Sequence, residues 1–165
     1  MEVKIRKVKP EEGKILAEIE EICFPPEEAA SEKDVLERLQ AFPDKFLAAE
    51  ADGKIIGFIN GAVTDEPHLP DEMYHDTGLH KPDGMYQTVF GLNVLPQYRR
   101  QGIAGKLVDA LIELSKKEGK KGVVLTCKDH LIPFYESHGF VNYGVADSEH
   151  GGARWNDMQL HFSER

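Results

Sequence analysis

The sequence predicts an α/β (α+β) domain built on a mixed sheet, and three observations predict it. First, Val89 to Leu95 is rich in apolar and β-branched residues and ends at Pro96, as a buried strand does. After a short loop, Ile103, Leu107, Ala110, Leu111 and Leu114 follow at helical spacing. Second, the apolar run Val123 to Cys127 comes after that helix, so strand, helix and strand imply a right-handed parallel crossover. Third, Asp52-Gly53 sits between two apolar runs, the strongest short-range sign of an antiparallel hairpin.

The elements follow in order. Val3 to Val8 alternates apolar and basic residues, which predicts a half-buried first strand. Pro10-Glu11-Glu12 opens a helix with proline and acids at its start, and Ile15, Leu16, Ile19 and Ile22 form its expected buried face. Cys23-Phe24-Pro25-Pro26 breaks it, because proline cannot continue the helical ladder. Ser31 reads as the N-cap of a second helix that buries Val35, Leu36 and Leu39 and ends at Pro43. Phe46 to Ala51 and Lys54 to Val63 are the hairpin strands.

Asp65 to Gly84 carries three prolines, two glycines, three histidines and six acids, and reads as a long loop. After the crossover, Leu131 to His138 is a short helix stopped at Gly139. Phe140 to Val145 and Ala153 to Phe162 are the last strands, joined by the polar link Asp147 to Gly152.

With 165 residues the chain fits one domain, residues 1–165. No apolar run reaches the ~20 residues that span a bilayer, and the first residues have no signal-peptide core. Cys23 and Cys127 do not make a disulfide framework, so the cytoplasm is the expected compartment. A net charge of −9 argues against a general nucleic-acid binder and mildly favours a cationic ligand.

The loop Arg99-Arg100-Gln101-Gly102-Ile103-Ala104-Gly105 is basic and low in side-chain bulk. Placed between a strand and a helix N-terminus, it offers free backbone N–H groups to a phosphate. It reads as a pyrophosphate cradle. It lacks the Gly-Lys-Ser/Thr ending of a triphosphate P-loop and the Gly-x-Gly-x-x-Gly of a dinucleotide fold.

Arg99-x-x-Gly102-x-Ala104, preceded by a strand and Pro96, resembles motif A of the GCN5-related N-acetyltransferase (GNAT) superfamily. Ile132-Pro133-Phe134-Tyr135-Glu136-Ser137-His138-Gly139-Phe140 resembles its motif B. The order of elements also agrees with that superfamily over essentially the full length. The resemblance implies a central mixed twisted sheet of about six to seven strands flanked by about four helices. It implies an enzyme that moves acetyl from acetyl-CoA to a primary amine of a small molecule; spacing, charge and hydropathy predict no metal, nucleic-acid or membrane partner, and a homodimer is allowed.

By the same resemblance, Leu92, Asn93 and Val94 would meet the pantetheine arm, and Arg99, Arg100, Gln101, Gly102, Ile103, Ala104, Gly105 and Lys106 the pyrophosphate. Tyr135 would lie near the thioester sulfur and serve as general acid. A thiol of pKa ~8.5 leaves more easily when a phenol of pKa ~10 lends it a proton.

Cys127-x-Asp129-x-Leu131-x-Pro133-Phe134-Tyr135 and Gly152-x-x-Trp155-x-x-Met158 are similar to the serotonin (arylalkylamine) N-acetyltransferase branch. That likeness would put Trp155 in the amine pocket, with Phe24 and Pro26 in a loop covering the substrate. The sequence departs from the branch at Thr88-Val89-Phe90, where a His-x-His pair would relay the amine's proton. No carboxylate lies on this strand either, which leaves a water chain or an acid of the loop Asp65 to Asp76 as the base.

Two other readings stay open on the sequence. One is a protein or peptide N-acetyltransferase, and the other is an acyl-CoA sensor without turnover. Cys127 is expected to be a buried core residue, and the lysines at 116, 117, 120 and 121 a solvated basic turn.

Overall fold

The computed structural model describes residues 1–146, 148 and 150–163. Of the expected polar link, Asp147 and Glu149 lie outside the described residues. The chain forms two compact units, Met1–Gly61 with Gly91–Leu111, and Ala62–Phe90 with Ile112–Arg165.

In the first unit, β1 (Lys4–Lys7), β2 (Phe46–Ala51), β3 (Lys54–Asn60) and β6 (Gly91–Val94) form an antiparallel sheet in the order β1-β2-β3-β6. The hairpin turn has Asp52 at φ 51° and Gly53 at φ 77°. Both lie in the left-handed region that a two-residue primed turn requires. Phe42, Phe46 and Phe58, all fully buried, stack in a row with centroids 5.9 Å and 6.4 Å apart.

Helix α1 (Gly13–Cys23) buries Leu16, Ala17, Ile19 and Glu20. This corrects the expected face, since Ile15 is 44% and Ile22 59% exposed. The buried stripe instead follows positions 13, 16, 17 and 20, and it takes in a glutamate that apolar spacing ignores. Helix α2 (Glu32–Ala41) starts as expected, with Ser31 Oγ accepting from Asp34 N–H at 3.1 Å. It buries Val35 and Leu39, while Leu36 is 42% exposed.

The second unit contains β4 (Val63–Thr64), β5 (Tyr86–Val89), β7 (Gly122–Cys127), β8 (Val141–Val145) and β9 (Asn156–His161), in the order β4-β5-β7-β9-β8. The crossover is present, with β5 parallel to β7 from Tyr86↔Gly122 to Val89↔Leu125. Helix α3 (Ile103–Lys117) connects the strands in sequence, and α4 (Ile132–Glu136) follows β7. The loop from 65 to 84 is not wholly solvated, because Leu69, Met73 and Tyr74 are buried.

What reads as one central strand divides at Phe90, where the parallel ladder to β7 ends and the antiparallel ladder to β3 begins. Joining β5 to β6 and β3 to β4 returns seven strands. Apolar content cannot locate such a break, because both halves are buried.

Candidate active site

In the first unit, and among the described residues, β6 pairs with β3 along one edge only. Leu95 N–H donates to Ile56 O at 2.9 Å, and the Asn93 carbonyl lies against the Gly57 backbone. Groups alternate along a strand, so the Asn93 backbone faces β3, and the Leu92 and Val94 backbones face the opposite edge. The three expected pantetheine contacts therefore present different groups. Leu92 and Val94 direct theirs outward, while Asn93 is committed to the sheet, its side chain fully buried with neither polar atom hydrogen bonded among the described residues.

The chain then turns through the cradle. Arg99 is exposed and its Nε–H donates to Val94 O at 2.9 Å. Arg100 has φ 64° and Gly102 φ 78°. A non-glycine residue in that region costs ~1–2 kcal/mol, and alternating hands turn successive N–H groups toward one concavity. Lys106 N–H donates to Gly102 O at 3.2 Å, the first bond of α3. The N–H groups of Ile103, Ala104 and Gly105 thus have no intrahelical acceptor and stand at the positive end of the dipole. Gln101 and Lys106 are exposed beside them, and nothing lies within 4 Å of a β-carbon built on Gly102.

Phe24 and Pro26 follow α1 in this unit. Phe24 N–H caps the helix on Glu20 O at 3.2 Å, and Pro26 is exposed. Cys23, half-buried, points its Sγ at Val94 O at 3.4 Å, and burial pushes its thiol pKa up against the influence of Arg99.

Tyr135 belongs to the second unit. It sits on α4, buried, with its ring edge-on to Phe134 and Phe140. Burial above all, then the neighbouring Cys127 and Tyr74, holds its phenol well above the ordinary tyrosine range, so it stays protonated. Cys127 is buried, as expected, and its thiol is pushed up to about 11 by burial and then by Asp129. A thiol held that high is a poor nucleophile near neutrality. Trp155 is half-buried just before β9, with Lys128 Nζ 5.8 Å from its ring centroid.

Residues 14–140 match the profile of the acetyltransferase (GNAT) family. The chain belongs to that family. The match spans β6, the cradle and Tyr135. A serotonin N-acetyltransferase of Mesocricetus auratus is 30% identical over 118 residues, covering 71% of this chain and 56% of that protein. A probable hydrolase of Bacillus subtilis, YhcX, is 27% identical over 143 residues, covering 81% of this chain but 27% of its own length. The chain therefore spans between about a quarter and about half of these relatives. Among solved structures, the loading GNATL domain of CurA from Lyngbya majuscula superposes with a TM-score of 0.84 at 17% identity, covering 98% of each chain. That likeness shows a GNAT fold.

Within this GNAT chain, several residues take places that the sequence did not assign. Lys120 Nζ, expected in a solvated turn, donates to Pro82 O at 2.8 Å and Gly84 O at 2.9 Å and ties down the end of the long loop. His80 Nδ1 accepts from Val63 N–H at 2.9 Å. Asp157 on β9 is a half-buried carboxylate whose Oδ1 is buried without a hydrogen-bond partner among the described residues. Its only sequence sign is one acid in an otherwise apolar and amide-rich strand, Asn156–His161. Among the described residues, no group of three or more His, Cys, Asp or Glu side chains is arranged to hold a metal, and no helix is long and apolar enough to cross a membrane.

Proposed function

We propose that the protein transfers acetyl from acetyl-CoA to a primary amine of a small molecule, with Tyr135 as the general acid. The observation that carries this reading is the outward edge of β6 leading into the N–H cradle of α3, in a chain of the GNAT family. An extended amide-bearing arm would bond to the outward groups of Leu92 and to Val94 N–H as an added strand does, the Val94 carbonyl already accepting from Arg99 Nε–H. Arg100, Gly102, Ile103, Ala104 and Gly105 would hold the pyrophosphate through backbone N–H groups, with the arginines adding charge. The thioester supplies an activated acetyl group.

The amine attacks as its neutral form, its nitrogen bonding to the acetyl carbon while the carbon–sulfur bond breaks. Tyr135 gives its proton to the departing sulfur, and the surplus proton on the new amide nitrogen returns the phenol to its neutral form through solvent. Burial keeps Tyr135 protonated until a strong base appears beside it, which suits a donor that acts only at that moment. The similarity to a serotonin N-acetyltransferase favours an aryl alkylamine, for which the half-buried ring of Trp155 is a candidate contact.

Thiol release from acetyl-CoA across tryptamine, phenethylamine, spermidine, aminoglycosides, amino acids and a lysine peptide tests the reading. Turnover with small amines is expected. Silence on all of them, with acetyl-CoA still bound, would replace it with a sensor. The variant Tyr135→Phe should lose about 10²-fold in kcat with its acetyl-CoA Kd unchanged. Undiminished kcat would remove the general-acid role.

A further inference from the structure

The central strand carries no carboxylate, but the sheet that β5 belongs to carries one on β9. On β7, Leu125 and Cys127 point into the core, so Thr126 points to the other face. Thr126 pairs across the ladder with Asp157 of β9, and directly opposed residues share a face. Thr88 reaches that face too, through its pairing with Val124.

The long loop covers this face with Tyr74, whose hydroxyl lies 3.3 Å from Thr126 Oγ1 and whose ring is 5.0 Å from that of Phe90. Tyr74 in turn is close enough to Tyr135 to affect its ionisation. One face therefore gathers Thr88, Thr126, Tyr74 and Asp157.

We propose that Asp157 binds the substrate's ammonium group and takes its proton before attack. The inference rests on the acetyl-transfer reading above. The buried Oδ1 has no partner among the described residues, and a carboxylate so placed lacks the donor that would repay its desolvation. An ammonium nitrogen supplies that donor.

The proton balance is complete. The ammonium gives one proton to Asp157, the neutral amine attacks, and Asp157 then releases that proton to bulk water. Each turnover thus yields amide, thiol and one proton. Among the described residues, the titratable groups acting on Asp157 are few: burial raises its pKa, and His68 from the loop opposes the rise. The weakly acidic Tyr74 completes the set through Thr126. Substrates are therefore amines that arrive protonated, with pKa above neutrality.

The test compares wild type with Asp157→Asn, using ethylamine and 2,2,2-trifluoroethylamine with whichever larger amine proves best. The variant should lose about 10²-fold in kcat/KM for the basic amines at pH 7 while binding acetyl-CoA normally. The deficit should shrink as pH approaches the amine's own pKa, and should be small for trifluoroethylamine, which is already neutral. A purely structural role would depress all amines equally at every pH. Equal kcat/KM and pH profile in variant and wild type would overturn the inference.

A reading independent of any variant comes from the Asp157 carboxyl resonance in wild-type protein. Saturating amine should move its titration midpoint down, and an unmoved midpoint would also overturn the proposal. If wild type itself turns over no amine, the acetyl-transfer reading fails and takes this inference with it. An active wild type with an indifferent variant removes this inference alone.

Discussion

Gly102 joins backbone geometry to ligand capacity at a single residue. Its φ of 78° is costly for any residue with a β-carbon, yet a β-carbon there would touch nothing within 4 Å. Gly102→Ala should therefore cost ~1 kcal/mol of stability through the backbone alone. Its effect on acetyl-CoA should be larger, because the added methyl stands where the phosphate must approach the N–H groups. Calorimetry should show Kd raised about tenfold or more, equivalent to ~1.4 kcal/mol. An unchanged Kd would place the pyrophosphate elsewhere.

Asp157 shows the opposite balance. Its pKa is raised in the folded protein, so its contribution to folding is full below the unfolded carboxylate range and is lost as pH rises through the higher folded value. Asp157→Asn should thus be no less stable than wild type near neutrality, as expected where function keeps a residue that stability would discard. The cradle and Tyr135 stand out as candidates in the sequence because each lies in a local run of distinctive spacing. Asp157 does not stand out in the same way, because its placement is set by pairing with Thr126 thirty-one residues earlier.

At the scale of elements, the two sheets depend on glycines where strands run close together. A β-carbon on Gly122 would sit 2.1 Å from Leu160 O, and one on Gly57 would sit 2.4 Å from Asn93 O. Both contacts are with backbone, which cannot rotate away. Gly122→Ala should strain the β7–β9 ladder and cost ~2 kcal/mol in urea unfolding. Gly57→Ala would press instead on β6, the strand proposed to receive pantetheine.

Boundaries set by local chemistry were readable in advance. Ser31 caps α2, Asp52-Gly53 turns the hairpin, and Gly139 at φ 96° follows α4. The break at Phe90 was not readable, since it depends on which neighbour each half of the strand finds. The face of α1 was misjudged for a related reason. Ile15 and Ile22 fit an apolar count, but the helix turns Glu20 inward, where Oε2 accepts Ala30 N–H at 3.0 Å.

For the whole molecule, the balance of charge decides how stability responds to acid. The chain carries −9 at neutrality, so mild acid first relieves repulsion. Against this stands Glu12, which accepts from Arg6 Nη1 at 2.9 Å and Nη2 at 2.8 Å, and from Lys9 N–H at 2.8 Å. Arg6 also donates to Glu50 at 2.9 Å, linking β1 and β2 to the turn before α1. The hydrogen bonds from Arg6, helped by Lys9 N–H and opposed by burial, lower the Glu12 carboxyl to about 2.

An unfolded glutamate titrates near pH ~4.3, so the folded state binds its proton more weakly. The stabilisation is complete above that pH and is lost as pH falls from ~4.3 toward about 2. Glu12→Gln should cost ~1 kcal/mol near neutrality, a modest figure because the pair remains partly solvated. Its urea midpoint should fall less steeply between pH 5 and pH 2 than that of wild type, so the two curves converge in acid. Parallel curves would mean that the pair does not govern the acid limb, and that the loss of stability there comes from the remaining carboxylates.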